Sequence, residues 1–114
     1  MNNNPAPQQV YVGLTIDEMR SSIQGIASQD APTHYIGKWV EQDVFFVDAH
    51  TFGGVPKCRF KTNETDAFEN LYSSFDPRYS EQIKNWRAGE KIRVRGRVTR
   101  VGWHVLLEDC EVVS

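Results

Sequence analysis

The sequence predicts a small, mainly β domain of the α+β class, folded as a barrel. One observation is the run Lys91 to Val98, in which basic residues alternate with apolar residues or glycine without a break. Such strict alternation is typical of a strand with one face in water. The other observation is the order of the predicted elements, which is strands, then helix, then a two-strand hairpin. That order suits a small α+β barrel.

Length and composition limit the possibilities further. A chain of 114 residues has room for one domain. Hydrophobic residues make up 39% and charged residues 25%, which excludes a chain disordered throughout. No apolar run approaches the ~20 residues of a membrane span. The 15 acidic and 13 basic residues give a net charge of −2, which excludes a globally basic nucleic-acid coat.

The chain divides into three predicted parts. Residues 1–13 are rich in Asn, Pro and Gln and are expected to be a flexible lead-in. Residues 14–33 are expected to form an N-terminal helix and linker, and residues 34–114 the barrel. The helix begins at a capping box, Thr15 with Glu18, and is expected to end near Gly25. The N-terminus shows neither a basic start nor an apolar stretch, so we expect no signal peptide and a cytoplasmic location.

The barrel begins with β-rich segments. Residues 35–40 and 43–47 are rich in β-branched and aromatic side chains and fit either two strands or one long bent strand. Gly53 and Gly54 indicate a turn. Residues 55–61 alternate basic and apolar side chains and are predicted to form a strand.

Two helical stretches are predicted next. Asn63 and Asp66 repeat the cap spacing, and an apolar stripe follows at positions i, i+3, i+4 and i+7. The stripe consists of Phe68, Leu71, Tyr72 and Phe75. It is expected to plug the bottom of the barrel. A second helical stretch runs from Ser80 to Arg87 and presents Ile83 and Trp86.

The last strand needs an irregularity. Val105 and Leu107 share one phase of the alternation, whereas Cys110 and Val112 share the other. One extra residue in a strand switches the facing of everything after it. We therefore predict a β-bulge near Glu108-Asp109.

Four segments together resemble the tRNA-anticodon-binding-like OB-fold family of small bacterial domains. The segments are Tyr35 to Lys38, Cys58 to Phe60, Gly89 to Gly96 and Val105 to Val112. The resemblance implies a five-stranded Greek-key barrel with a helix between strands three and four. It also implies a module that binds oligonucleotides or a partner, and not an enzyme.

Basic residues recur at every second position of two predicted strands, giving seven of the 13 basic residues: Lys57, Arg59, Lys61, Lys91, Arg93, Arg95 and Arg97. Phosphate binding needs positive charge concentrated along a groove. OB-folds combine such a groove with aromatic rings on which bases stack. The candidate rings are those of Trp39, Trp103 and Phe52, with Tyr35 ranked behind them.

The same rows also fit ordinary solvated strand faces. Counting back across the Val101-Gly102 turn places Arg95 opposite or near Glu108, and Arg93 within reach of Glu111. Cross-strand pairs of opposite charge contribute about 0.2–1 kcal/mol each and would neutralise the row. The short predicted loops between strands one and two and between strands four and five also predict modest, salt-dependent affinity.

Other chemistry is poorly supported by the residues. Cys58 and Cys110 lie at inward phases and are expected in the core. They would be close together if they lay on the neighbouring third and fifth strands of an OB barrel. His34, His50 and His104 lack the spacing of zinc ligands, so no metal and no cofactor are expected. No nucleophile occurs with a recognisable base, and we expect no enzyme.

The sequence thus predicts a non-enzymatic binding module, with single-stranded DNA or RNA as the first ligand class. In that hypothesis the residues that neutralise phosphates are Lys57, Arg59, Lys61, Arg93, Arg95 and Arg97. A base stacks on Trp39 or Trp103. The alternative is an accessory OB module that meets a protein partner through its acidic helical side and binds no nucleic acid.

Overall fold

A computed structural model describes residues 9–22 and 34–113. Five strands form a closed barrel in the order β1-β2-β3-β5-β4. They are β1 (Trp39–Phe52), β2 (Val55–Lys61), β3 (Leu71–Phe75), β4 (Lys91–Val101) and β5 (Val105–Val112). Helix α1 (Ile16–Ser22) precedes the barrel, and helix α2 (Ser80–Lys84) lies between β3 and β4 behind a 3₁₀ turn, Pro77–Tyr79. The predicted OB-type barrel with an N-terminal helix is confirmed.

Strand β1 is one long strand that changes partners partway along. Its first half pairs with β4 and its second half with β2. Phe45 stands at the change, since it pairs with both Lys91 and Lys61. Gly53 and Gly54 then turn the chain into β2 with φ angles of 59° and 82°. A two-residue hairpin turn with both φ angles positive favours glycine, as the sequence indicated.

Strand β3 corrects the sequence-based prediction, because the expected helix over residues 63–75 is wrong. Leu71–Phe75 is extended and pairs with β2 on one side and β5 on the other. Leu71, Ser73 and Phe75 point inward and are at most 2% exposed. Leu71 and Phe75 satisfy both a helical spacing of four and a strand spacing of two, and pairing with two strands decides between them. Phe68 lies in the preceding loop, outside the core.

The predicted bulge in β5 is confirmed. Leu107 and Cys110 both point inward, although they are three residues apart. Between them Asp109 has a φ of 54°, and the register with β4 shifts by one residue. The bulge therefore turns both apolar halves of β5 into the core.

The two helices close different parts of the barrel. In α1, Ile16 and Met19 are buried, and the Thr15–Glu18 capping box is present with bonds of 2.8 and 3.1 Å. The predicted end of this helix near Gly25 lies outside the described residues. After α2, the Trp86 ring lies 5.3–6.2 Å from the rings of three core phenylalanines, which are Phe46, Phe60 and Phe75.

The two cysteines are free and buried, as predicted for core residues. Their expected placement on neighbouring strands is wrong, because Cys58 belongs to β2 and Cys110 to β5, with β3 between them. Ser73 of β3 is the register partner of Cys58. Burial is the main cause that raises the pKa of each thiol to about 12.

The segment before α1 touches the start of β1. Val12 N–H donates to the Trp39 carbonyl at 2.9 Å, and Trp39 N–H donates to the Val10 carbonyl at 2.7 Å. Residues 9–13, assigned from the sequence to the lead-in, therefore include a parallel bridge to the barrel. In the part of the chain that the structure describes, no helix is long and apolar enough to cross a membrane.

Candidate nucleic-acid interface

The outward side chains of β2 and β3, with those of the adjoining β1 and β5 positions, form one continuous surface, which we name the β2–β3 face. In register, Arg59 lies between Asp48 and Tyr72, and Lys57 lies between His50 and Ser74. Leu106 of β5 is the register partner of Tyr72. Because paired residues point to the same side of a sheet, these side chains share the solvent side.

Arg59 is the central charge of this face and is already paired. Its Nε donates to Asp48 Oδ1 at 2.6 Å, and its Nη1 donates to Glu69 Oε1 at 3.0 Å. The hydrogen bond from Arg59 lowers the pKa of Asp48 below its ordinary value. The Arg59 and Asp48 side chains remain 39% and 46% exposed, so both stay accessible to a ligand.

Lys57 is less committed than Arg59. Its Nζ donates to Ser74 Oγ at 3.1 Å. Among the described residues, neither Lys57 nor Lys61 has a carboxylate within 4.0 Å. A groove of about 540 Å³ runs over this part of the sheet, and its lining includes Lys57, Arg59, Tyr72, Leu106 and Glu108.

Aromatic rings gather where the β2–β3 loop (residues 62–70) meets the β4–β5 loop (residues 102–104). The Tyr72 and His104 rings are stacked, with centroids 4.4 Å apart and planes at 21°. Trp103 is 86% exposed and Phe68 is 80% exposed. These four residues are named the aromatic cluster. Phe52, which is 72% exposed, lies beyond Lys57 at the far end of the same face.

The second basic row, on β4, has a different environment. Arg93 lies 2.8 Å from Glu41 and 3.2 Å from Asp43. Arg95 forms ion pairs with Glu111 and Glu41, and Arg97 forms one with Asp109 at 3.0 Å. Acidic residues of β1 and β5 therefore neutralise the three arginines of the row.

The cross-strand partners differ by one step from those counted from the sequence. Glu111 faces Arg95, and Glu108 faces Arg97. Arg93 finds its carboxylates on β1 instead. The hairpin closes at the Val101–Val105 pair, around residues 102–104, and not around Val101-Gly102, which moves the partners of β4 along β5. The bulge at Asp109 adds one more residue of shift on the Glu111 side.

The structure does not bring the two predicted rows into one groove. In the barrel order β2 and β4 are separated by β1 on one side and by β3 and β5 on the other. The predicted aromatic residues divide in the same way. Trp103 lies in the aromatic cluster at one end of the β2–β3 face. Trp39 is the register partner of Arg97, beside the β4 row. The Tyr35 hydroxyl lies 2.8 Å from Ser22 Oγ on α1, within hydrogen-bond distance.

Three residues of the aromatic cluster were missed by reasoning from sequence. Tyr72 and Phe68 were assigned to a helical core stripe, and His104 was considered only as a metal ligand. The signal was weak, because only Leu71 and Phe75 mark the inward side of a strand that turns Tyr72 outward. Within residues 9–22 and 34–113, no group of three or more His, Cys, Asp or Glu side chains is arranged to hold a metal ion.

No protein-family model and no curated protein matches the sequence. Solved structures do match. The chain is similar to a protein of Klebsiella pneumoniae described as a candidate nucleic-acid-binding lipoprotein, with a TM-score of 0.60 and 18% identity over 97% of this chain and 100% of that one. It is also similar to a chain of the S. pombe Stn1–Ten1 complex, with a TM-score of 0.50 and 17% identity over 71% of this chain and 67% of that one. At these identities the likeness shows the OB-type fold.

Proposed function

We propose that this protein is a non-enzymatic OB-fold module that binds single-stranded nucleic acid across the β2–β3 face. The observation that carries the proposal is the exposed aromatic cluster, placed at one end of a stripe that contains Arg59 and Lys57. In OB-folds this sheet face, with the loops at its two ends, is the usual oligonucleotide surface. One structural neighbour is described as a candidate nucleic-acid-binding protein, which supports the same ligand class.

The two chemical requirements of single-strand binding are met by different residues of this face. Phe68, Trp103 and Phe52 expose rings on which bases can stack, each worth about 1–3 kcal/mol per base. Lys57, Arg59 and Lys61 offer charge to the phosphates between those rings. Because Arg59 is shared with two carboxylates, a phosphate must compete for it, and we expect modest affinity that falls steeply with salt.

In this proposal the arginines of the β4 row hold neighbouring strands together and do not bind phosphate. Arg93, Arg95 and Arg97 are paired with carboxylates from both neighbouring strands, so little net positive charge remains to attract phosphate. We therefore propose that Lys57, Arg59, Lys61 and Trp103 of the predicted residues contact the ligand, and that Trp39 does not.

Three further expectations from sequence stay proposals. The absence of enzymatic activity rests on the lack of a nucleophile with a recognisable base. Membership of the tRNA-anticodon-binding-like family rests on the four short segments that resemble it. The cytoplasmic location is checked by cell fractionation.

The proposal is tested by fluorescence anisotropy with a labelled single-stranded oligothymidylate of about ten nucleotides. The salt concentration is raised from about 50 mM to about 200 mM. If Lys57, Arg59 and Lys61 each neutralise one phosphate, log K falls against log salt with a slope of about −2. Trp103→Ala should weaken binding at every salt concentration, because a stacking ring is lost.

A matched control is available before β1. Lys38 is exposed, and its carbonyl accepts a hydrogen bond from Val98 N–H of β4, so Lys38→Ala removes the same charge away from the β2–β3 face. Lys57→Ala should reduce the affinity and the salt slope, whereas Lys38→Ala should change neither. No detectable binding at low salt, or equal effects of the two lysine variants, overturns the proposal.

A protein-binding role is the second candidate, and one surface favours it. Val10, Tyr11 and Ile36 are 58%, 45% and 43% exposed, and Val10 and Tyr11 lie beside the start of β1. A stable dimer or a co-purifying protein, together with no salt-sensitive oligonucleotide binding, would favour this role.

A further inference from the structure

A second pocket, of about 610 Å³, opens beside the aromatic cluster. It lies where α1, the β2–β3 loop and the β4–β5 loop meet. Phe68, Tyr72, Trp103 and His104 supply its aromatic lining, and Asp17 and Asp66 supply carboxylates. Its volume falls within the range of small-molecule sites. It is therefore large enough for one unstacked base at the end of the β2–β3 face.

The two carboxylates are held by a buried hydrogen-bond chain. Asn70 Nδ2 donates to Asp66 Oδ2 at 3.0 Å and to Thr62 Oγ1 at 2.9 Å. Thr62 Oγ1 in turn donates to Asp17 Oδ1 at 2.6 Å. Asn70 and Thr62 are only 5% and 7% exposed. Because a buried polar network holds its members in one geometry, both carboxylates are fixed before any ligand arrives.

Each carboxylate keeps an oxygen for a ligand. Within the described residues, Asp17 Oδ2 and Asp66 Oδ1 accept no hydrogen bond. Ionised carboxylates are acceptors only, so the pocket selects a partner that presents N–H groups. Arg20, the cation of the pocket, lies 3.5 Å from Asp17 and donates through Nε to the Trp103 carbonyl at 3.0 Å. This bond also ties the position of the Trp103 backbone to α1.

We propose, resting on the proposed function, that this pocket selects guanine in a bound single strand through Asp17 and Asp66. Guanine presents two adjacent donors, N1–H and N2–H₂, on its Watson–Crick edge, the edge commonly read in single-stranded recognition. Adenine, cytosine and thymine each place an acceptor next to their donor on that edge, and a carboxylate repels it. The ring stacks on the aromatic cluster, while the phosphates stay on the stripe of Lys57 and Arg59.

The test compares oligothymidylates that carry one substituted base, which avoids structures formed by several guanines. The full chain should bind the strand with one guanine about tenfold more tightly than unsubstituted oligothymidylate. Hypoxanthine, which lacks the N2 amine, should lose most of this preference. 7-Deazaguanine keeps both donors and should retain it.

Variants then connect the preference to the pocket. Asp66→Asn should abolish the preference for guanine, measured as the ratio of the affinities for the guanine-containing strand and for oligothymidylate. Glu64→Gln is the matched control, because Glu64 is an exposed acid of the same loop that does not line the pocket. It should keep the preference. Thermal melting of each variant checks that the fold is intact, and Asp17→Asn provides a second variant if Asp66→Asn does not fold.

Each outcome separates this inference from the proposed function. Equal affinity for the guanine-containing strand and oligothymidylate overturns the guanine pocket and leaves strand binding intact. Preference for guanine that survives in both aspartate variants also overturns it. Binding of an arginine-containing peptide that Asp66→Asn abolishes, with no binding of any strand, overturns both and assigns the pocket to a protein ligand.

Discussion

Arg95 on β4 lies directly opposite Glu111 on β5, and their side chains form an ion pair on the outside of the barrel. Arg95 also lies 3.7 Å from Glu41 on β1, so it joins the strands on both sides of β4. Both side chains of the Arg95–Glu111 pair are about one-third exposed, at 31% and 32%. Through these two partners, Arg95 connects β4 to both β1 and β5. Arg95 belongs to the row of basic residues that the sequence had suggested for phosphate binding.

Glu111→Gln should lower the free energy of unfolding by less than about 1 kcal/mol, because pairs that contact water are screened. The loss should shrink as salt is added. Urea denaturation at low and high salt measures both effects. Glu81→Gln, which breaks an exposed pair on α2, serves as the control and should have a smaller effect. A loss that does not shrink at high salt would show that Glu111 stabilises the barrel by packing instead of charge.

Leu71 and Phe68 should respond differently to truncation. Leu71 is fully buried in β3, so Leu71→Ala should cost about 2–5 kcal/mol of stability. Phe68→Ala should cost less than about 0.5 kcal/mol, because that ring is 80% exposed. Urea denaturation of both variants gives the comparison. Similar losses would mean that the two side chains share one apolar face after all.

Gly96 has the closest neighbours of the described glycines. A Cβ at this position would meet Cys110 Sγ at 2.7 Å and Leu107 Cβ at 3.0 Å. Gly96→Ala should therefore destabilise the protein by about 1–3 kcal/mol. The cost should be smaller in a Cys110→Ala background, where one of the two clashes is removed. Gly102→Ala is the control, since the nearest atom to its added Cβ is 3.9 Å away, and it should be near neutral.

The buried thiols predict a loss of stability in alkali. Their pKa values are raised from 9.0 to about 12 by burial, so the folded state keeps protons that the unfolded chain releases. The stabilisation that the protonated thiols give the folded state is complete below pH 9. It declines as the pH rises from 9 towards 12. The slope is at most about 1.4 kcal/mol per pH unit for each thiol.

Urea denaturation between neutral pH and the alkaline range measures this slope. Cys58→Ala and Cys110→Ala should each flatten it, whatever their effect on stability at neutral pH. Reaction of the native protein with a thiol reagent should be slow and should accelerate on unfolding. An unchanged alkaline slope in both variants would mean that other groups cause it.

Asp48 restrains Arg59 on the proposed interface. Asp48→Asn should release the guanidinium to bind phosphate, raising the affinity for oligothymidylate severalfold at low salt. The salt slope should stay at about −2, because Arg59 is already one of the three cations that neutralise a phosphate. Anisotropy titrations measure both, with Asp43→Asn as the control, because it removes a carboxylate from Arg93 on the β4 row. An affinity that falls or stays constant in Asp48→Asn would place the ligand away from Arg59.

Much of the barrel could be predicted from sequence because its strands alternate clearly. The run from Lys91 to Val98 and the conflicting phases around Asp109 were enough to predict β4, β5 and the bulge. β3 was missed because its five residues are too few to distinguish a period of two from one of four. Its inward Ser73 also hides the alternation, since a serine gives no apolar signal.

The candidate site was harder to predict than the fold. The position of a basic residue in sequence does not show which carboxylates the neighbouring strands bring beside it. Arg93 and Arg59 look alike in their rows, yet the structure places the first away from the aromatic cluster and the second beside Tyr72. The Asn70–Thr62 chain that connects Asp66 and Asp17 joins residues up to 53 positions apart, and no local pattern marks it.

Helix α1 has a practical consequence for work on this protein. Ile16 and Met19 fill part of the core, while Asp17 and Arg20 line the pocket beside Trp103. A truncated fragment that starts at the first strand would expose apolar surface and lose one side of that pocket at the same time. Screening such a fragment for ligands of that pocket would therefore return a negative result even for a true ligand, and the longer chain should be used.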